Sequence, residues 1–182
     1  VQEGIFAARD AGLPVKINTV VMRGFNEQQV LPLARWASRE RLPLRLIEFM
    51  PLDSGGGWSQ ERVVPEAEIL DALRGEFQIT PLADTDDPAR YYLLNGSYPL
   101  GVISTISRPF CKRCDRLRLT AEGELFTCLF SQQGHALREP MRAGATDAEL
   151  MAGIRAAVWS KQEGYAATGY VERTVTMHTL GG

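Results

Sequence analysis

The chain's three cysteines lie in one stretch, Cys111-Lys-Arg-Cys114 and then Cys128 after thirteen intervening residues. Thiolates are strong ligands for soft metals. A pair separated by two residues can grip one centre from a single turn, and a third can arrive from a following element. Four cysteines would close a structural site, whereas three leave one coordination position for a water, a substrate atom or another ligand. Two other readings use the same residues. A structural zinc completed by His135 or His178 has its remaining ligand type present, and spacing alone does not separate it from an open centre. A disulfide with one spare thiol fits the odd count poorly.

Beside the second cysteine runs Asp115-Arg116-Leu117-Arg118, where alternation in an extended segment sends both arginines to one face. Guanidinium groups suit bidentate binding of a phosphate or a purine edge, so the pair reads as a local anion clamp next to the metal. The plainer alternative is a solvated strand face paired with Asp or Glu. Lys16 sits mid-strand on a partly apolar face, either as a desolvated cation for a phosphate or as a snorkelling surface lysine. Met50 falls at the C-terminal end of a strand, where a methionine most often belongs to the core. Arg45 is unusual within a buried strand, and its parity differs from that of Met50. Trp36, Trp58 and Trp159 read as packing residues, and His135 and His178 as structural or surface histidines. Gly55-Gly56-Gly57 reads as a flexible connection, since no Walker lysine pattern follows it.

The elements that must position these groups can be read from periodicity and punctuation. A helix over Gln2 to Ala11 ends at Gly12 and Pro14. The β-branched run Val15 to Met22 predicts a strand, and Asn26 caps a helix from Glu27 to Arg39 whose buried stripe is Val30, Leu33, Ala34 and Ala37. Leu44 to Met50 is nearly apolar, as a parallel strand covered on both faces should be. This rhythm gives about two βα units, too few to close a barrel. A domain boundary is placed near residue 60, dividing 1–60 from 61–182. Beyond it come a helix over Pro65 to Arg74, strands over Phe77 to Leu82, Tyr91 to Leu94 and Val102 to Ser107, and a polar turn over Asp84 to Pro88. A hairpin about Ala121-Glu122-Gly123 returns Cys128 toward the first two cysteines. Asp147 caps a final helix over Ala148 to Lys161, with Leu150, Ile154, Ala157 and Val158 inward.

The chain has 182 residues, 45% hydrophobic and 23% charged, the composition of a globular protein with a sizeable core. The formal charge of -2 and pI near 5.8 argue against a nucleic-acid polyanion as the main partner. No run approaches the roughly 18 apolar residues that cross a bilayer, so no membrane role is expected. The opening Val-Gln-Glu-Gly reads as the start of a fragment.

The segment from Phe110 through Cys111, Cys114, Asp115, Arg116, Leu117 and Arg118 to Cys128 and Phe130, with the terminal Leu180-Gly181-Gly182, resembles the GTP 3',8-cyclases of molybdenum cofactor biosynthesis. Val15-Lys-Ile-Asn and Leu46-Ile-Glu-Phe-Met50 also resemble that family's late barrel strands, so the likeness covers essentially the whole chain and corresponds to the family's C-terminal half. It implies a cytoplasmic radical S-adenosylmethionine enzyme. A first 4Fe-4S cluster, held by a CxxxCxxC motif not found in this sequence, generates the radical that takes the 3' hydrogen of GTP, and the ribose carbon then attacks guanine C8. The resemblance further implies that Cys111, Cys114 and Cys128 hold a second 4Fe-4S cluster whose open iron binds the guanine. It assigns Lys16, Arg116, Leu117 and Arg118 to GTP, Met50 to S-adenosylmethionine, and Gly181-Gly182 to a catalytic tail. Cyclic pyranopterin monophosphate synthase is the implied downstream enzyme. The implied fold is α/β: the last βα units of an incomplete TIM-like barrel, then an α+β iron-sulfur domain. Alone, the chain should be inactive, and its unprotected barrel edge should lead to a homodimer or other self-association. The alternative from another class is a zinc-stabilised binding module without redox chemistry.

Overall fold

A computed structural model describes residues 1–52, 57–111 and 114–161. The chain forms two compact units, one of residues 1–50 and 60–108, the other of residues 51–59 and 109–182. The boundary expected near residue 60 therefore does not coincide with this division, because residues 60–108 group with the first βα units. The reason lies in the sheet. Strand β5 (Tyr98–Ile103) pairs in parallel with β2 (Leu44–Glu48), which pairs in parallel with β1 (Ile17–Val21). Antiparallel β4 (Arg90–Leu94) and β3 (Ile79–Pro81) extend the sheet to the order β1-β2-β5-β4-β3. The result is a mixed α/β unit.

Helix α1 (Gln2–Asp10) precedes β1, α2 (Val30–Arg39) connects β1 to β2, and α3 (Glu66–Arg74) connects β2 to β3. The expected stripe on α2 is present, with Val30, Ala34 and Ala37 buried and Leu33 partly so. These side chains meet Leu44, Leu46, Ile69, Leu73, Leu94, Leu100 and Val102 in the core, where burying each large aliphatic side chain contributes about 1.5–3 kcal/mol. Asn26 does not cap α2 through its side chain. Its Oδ1 accepts from the Met22 N–H at 2.8 Å and its Nδ2 donates to the Val20 carbonyl at 2.9 Å, closing the loop after β1. That local bond competes with capping and defers the helix until after a short 3₁₀ turn at Glu27–Gln29.

One acidic side chain organises the end of β2. Glu48 is fully buried. Its carboxylate accepts the N–H of Glu66, the first residue of α3, at 2.9 Å, and those of Ile106 and Ser107 at 2.8 and 2.9 Å. This is why β5 ends at Ile103, four residues short of the expected Ser107: the chain turns at 104–107 to donate to Glu48 instead of continuing a ladder. The chain at Ile106 and Ser107 is thereby fixed to the end of β2.

The second unit carries a three-stranded antiparallel sheet of β6 (Arg118–Leu119), β7 (Glu124–Phe126) and β8 (His135–Ala136). Two helices follow, α4 (Arg138–Arg142) and α5 (Asp147–Trp159). Both β8 and α4 lie outside the sequence reading, being too short for periodicity to mark. The cap of α5 is Thr146, one residue earlier than expected, in a reciprocal capping box with Glu149. Along α5, Ala157 is buried and Leu150 and Ile154 half-buried, but Val158 and Trp159 are exposed, Trp159 to 88%. Trp159 is thus not a packing residue of the described chain. Trp36 is one, meeting Phe6 edge-on at 6.2 Å between ring centroids.

Candidate functional site

The hairpin between β6 and β7 forms as its sequence predicts. Gly123 takes φ +80 and donates its N–H to the Thr120 carbonyl at 3.0 Å, while its own carbonyl accepts from Leu137 at 2.9 Å. A Cβ at this position would stand 2.6 Å from Cβ of Arg138, so the turn requires glycine on both conformational and steric grounds. Register pairs Arg118 with Phe126 and Leu119 with Leu125, and Cys128 follows two residues after the end of β7.

All three cysteines are free and half-buried. The Cys114 N–H donates to the Cys111 carbonyl at 3.2 Å, a tight CxxC turn, and the Phe130 N–H approaches Cys128 Sγ at 3.4 Å. Burial opposes ionisation of the Cys114 thiol, but hydrogen bonds and charge from Arg116, with the Lys161 ammonium, outweigh it and hold the thiol below its ordinary value. Such a site favours the thiolate, the form that binds metal.

From Asp115 to Thr120 burial alternates: Asp115, Leu117 and Leu119 are exposed, Arg116 and Arg118 half-buried, Thr120 buried. Both arginines thus share a face, as alternation requires, although the ladder itself covers only Arg118 and Leu119. Arg116 lies over the Phe110 ring, its guanidinium carbon 4.9 Å from the centroid. Burial depresses the Arg118 pKa, as does the Arg116 charge, and the sulfurs of Cys114 and Cys128 act against both. No carboxylate among the described residues forms an ion pair with Arg116 or Arg118.

Lys161, just beyond α5, was not singled out by sequence. Its ammonium donates to the Cys114 carbonyl at 2.5 Å and to the Arg116 carbonyl at 3.1 Å, and lies 3.6 Å from Cys114 Sγ. Its partners are backbone groups 45 to 47 residues away, and no spacing rule could have found them.

The remaining candidates fall in other elements. Lys16 is exposed, immediately before β1, and Met50 is half-buried just after β2; both belong to the first unit, whereas the cysteines and Arg116, Leu117 and Arg118 belong to the second. Asn18, one step along the face of Lys16, is in register with Arg45. Arg45 has a structural partner set, donating to Tyr91 Oη from Nε at 3.0 Å and pairing with Asp87. His135 is exposed on β8. Gly181, Gly182 and His178 lie outside the described residues.

The donor set fits an iron-sulfur cluster: three free thiols, one in a thiolate-favouring position, with cations alongside. Among the described residues no three His, Cys, Asp or Glu side chains are grouped to hold one metal ion. A cluster does not demand that grouping, because each thiolate binds a different iron.

Residues 42–167 match the family model described as Molybdenum Cofactor Synthesis C, and the chain belongs to this family. Curated relatives named GTP 3',8-cyclase align with it across most or all of its length. That of Streptomyces coelicolor is 40% identical over 189 residues, covering 100% of this chain and 55% of the relative. That of Pelotomaculum thermopropionicum is 42% identical over 168 residues, covering 88% and 51%. That of Paracoccus denitrificans is 41% identical over 170 residues, covering 91% and 49%. The chain spans about half the length of the curated relatives it matches.

Proposed function

We propose that this chain is the cluster-bearing and nucleotide-binding part of a GTP 3',8-cyclase acting in molybdenum cofactor biosynthesis. The observation that carries the reading is the juxtaposition of a CxxC turn with two half-buried arginines that have no carboxylate partner among the described residues. Guanidinium groups beside metal-binding thiols suit an anionic, electron-rich ligand that must reach the metal. The relatives' name supplies the nucleotide.

In this reading Cys111, Cys114 and Cys128 hold a 4Fe-4S cluster. The cluster supplies one iron without a protein thiolate, a Lewis-acidic position for a guanine nitrogen or oxygen. Arg116 and Arg118 bind and orient the nucleotide, and the Leu117 backbone contributes at the same place. The Phe110 ring and the burial of Arg118 exclude water and raise the worth of each contact to the nucleotide. For the first unit, the reading assigns Lys16 to a phosphate, Met50 to S-adenosylmethionine, and β1, β2 and β5 to the last strands of a partial barrel. The tail Gly181-Gly182 acts in catalysis. The sequence has no CxxxCxxC motif, so this chain binds GTP but does not turn it over unaided.

The test separates cluster from nucleotide. Arg116→Ala in the anaerobically reconstituted chain should leave iron and sulfide content unchanged while weakening GTP binding about ten- to a hundredfold, the value of one charge-assisted contact. Wild-type GTP affinity in that variant, measured by equilibrium binding, would remove Arg116 from the site.

A further inference from the structure

The ammonium of Lys161 has three N–H donors, and three acceptors surround it: the carbonyl oxygens of Cys114 and Arg116 and, at 3.6 Å, the sulfur of Cys114. The side chain is half-buried, and no carboxylate among the described residues pairs with it. It is directed at one cysteine and at the two backbone groups that flank Asp115. The capping box of Thr146 and Glu149 fixes the start of α5, and the Ser160 hydroxyl, donating to the Ala157 carbonyl at 2.9 Å, fixes its end. The lysine is thus held by a defined helix terminus and not by a loose tip.

We propose that Lys161 is a positioning residue for the candidate cluster, holding Cys114 and the Arg116 backbone in place and raising the cluster's reduction potential with its charge. This rests on the reading of Cys111, Cys114 and Cys128 as cluster ligands. A cluster gains negative charge on reduction, much of it on the ligand sulfurs, so a positive charge and an N–H donor at a ligand sulfur stabilise the reduced state more than the oxidised one. In a half-buried site that preference is screened less than at the surface. The bonds to the two carbonyls give the same side chain a second effect. They fix the turn from which Arg116 and Arg118 project, so cluster and anion clamp share one anchor.

The test uses the full chain reconstituted with iron and sulfide, with Lys161→Met removing the charge while keeping most of the stem and Lys161→Arg keeping the charge. Potentiometric titration followed by electron paramagnetic resonance reads the midpoint and the signal of the reduced cluster. We expect Lys161→Met to hold wild-type iron and sulfide with a lower midpoint and an altered signal, and Lys161→Arg to restore both toward wild type. Loss of the cluster in Lys161→Met with unchanged circular dichroism, rescued by Lys161→Arg, would support the same role through Cys114. A midpoint and signal in Lys161→Met identical to wild type would overturn the inference, as would equal loss of the cluster in both variants. A wild-type chain that takes up no iron and sulfide would instead sink the cluster reading, and this inference with it.

Discussion

At the residue scale, the CxxC turn and the shared face of Arg116 and Arg118 were legible because each is a local pattern. The CxxC turn needs only two intervening residues, and the shared face of Arg116 and Arg118 follows from strand parity, which the alternating burial reproduces. Lys161, Glu48 and the partners of Arg45 were not legible, because each is defined by groups far away in sequence. Tyr98 is a similar case. Its hydroxyl donates to the Leu42 carbonyl at 2.7 Å, and burial pushes its pKa from 10.0 up to about 12. The folded state thus favours the protonated phenol. The stability this contributes is fully present below the unfolded value near pH 10 and is lost as pH rises through about 12. Denaturant titrations between pH 9 and 12, ranges chosen around those values, should show a steeper loss for the wild type than for Tyr98→Phe. Parallel curves would contradict the assignment.

At the element scale, long amphipathic or β-branched segments declared themselves, and short ones did not. The stripe of α2 and the two faces of β1 were read correctly, and β2, expected to be covered on both faces, buries Leu44, Leu46 and Glu48 and half-buries Arg45 and Ile47. The two-residue β8 and five-residue α4 carry too few positions for any period to register. The end of β5 was misread because Ile106 looks like a strand residue, yet its N–H belongs to Glu48. That bond predicts a cost. Glu48→Ala leaves three backbone donors without their acceptor in the interior, and should destabilise the first unit by about 3 kcal/mol or more. The hairpin offers a second check in the other unit: Gly123→Ala forces a φ of +80 on a side chain and a 2.6 Å approach to Arg138, for a loss on the order of 1–3 kcal/mol. Chemical denaturation measures both, and a change within about 0.5 kcal/mol of zero would show that the segment relaxes freely.

At the scale of the whole molecule, the sequence conveyed an α/β chain with a change of character partway along, but composition placed that change too early. Residues 51–59 group with the second unit, and the chain then returns to the first sheet through α3, β3, β4 and β5. Parallel pairing of β2 with β5 is a long-range fact that no local window contains. Among the described residues β1 pairs with β2 alone, leaving a row of backbone groups beside Val20, itself 45% exposed. An open edge of this kind promotes pairing with another chain. Light scattering should show mass rising with concentration; a constant monomer mass across the range would remove the edge as an association surface.

The central claim is that three cysteines hold an iron-sulfur cluster to which GTP binds. It is tested most directly by iron, zinc and acid-labile sulfide analysis, with an absorbance spectrum, on the anaerobically reconstituted chain. The account predicts about four iron and four sulfide per chain and a spectrum that changes when GTP is added. One tightly held zinc, no sulfide and no response to GTP would contradict it and leave a metal-stabilised structural module in its place.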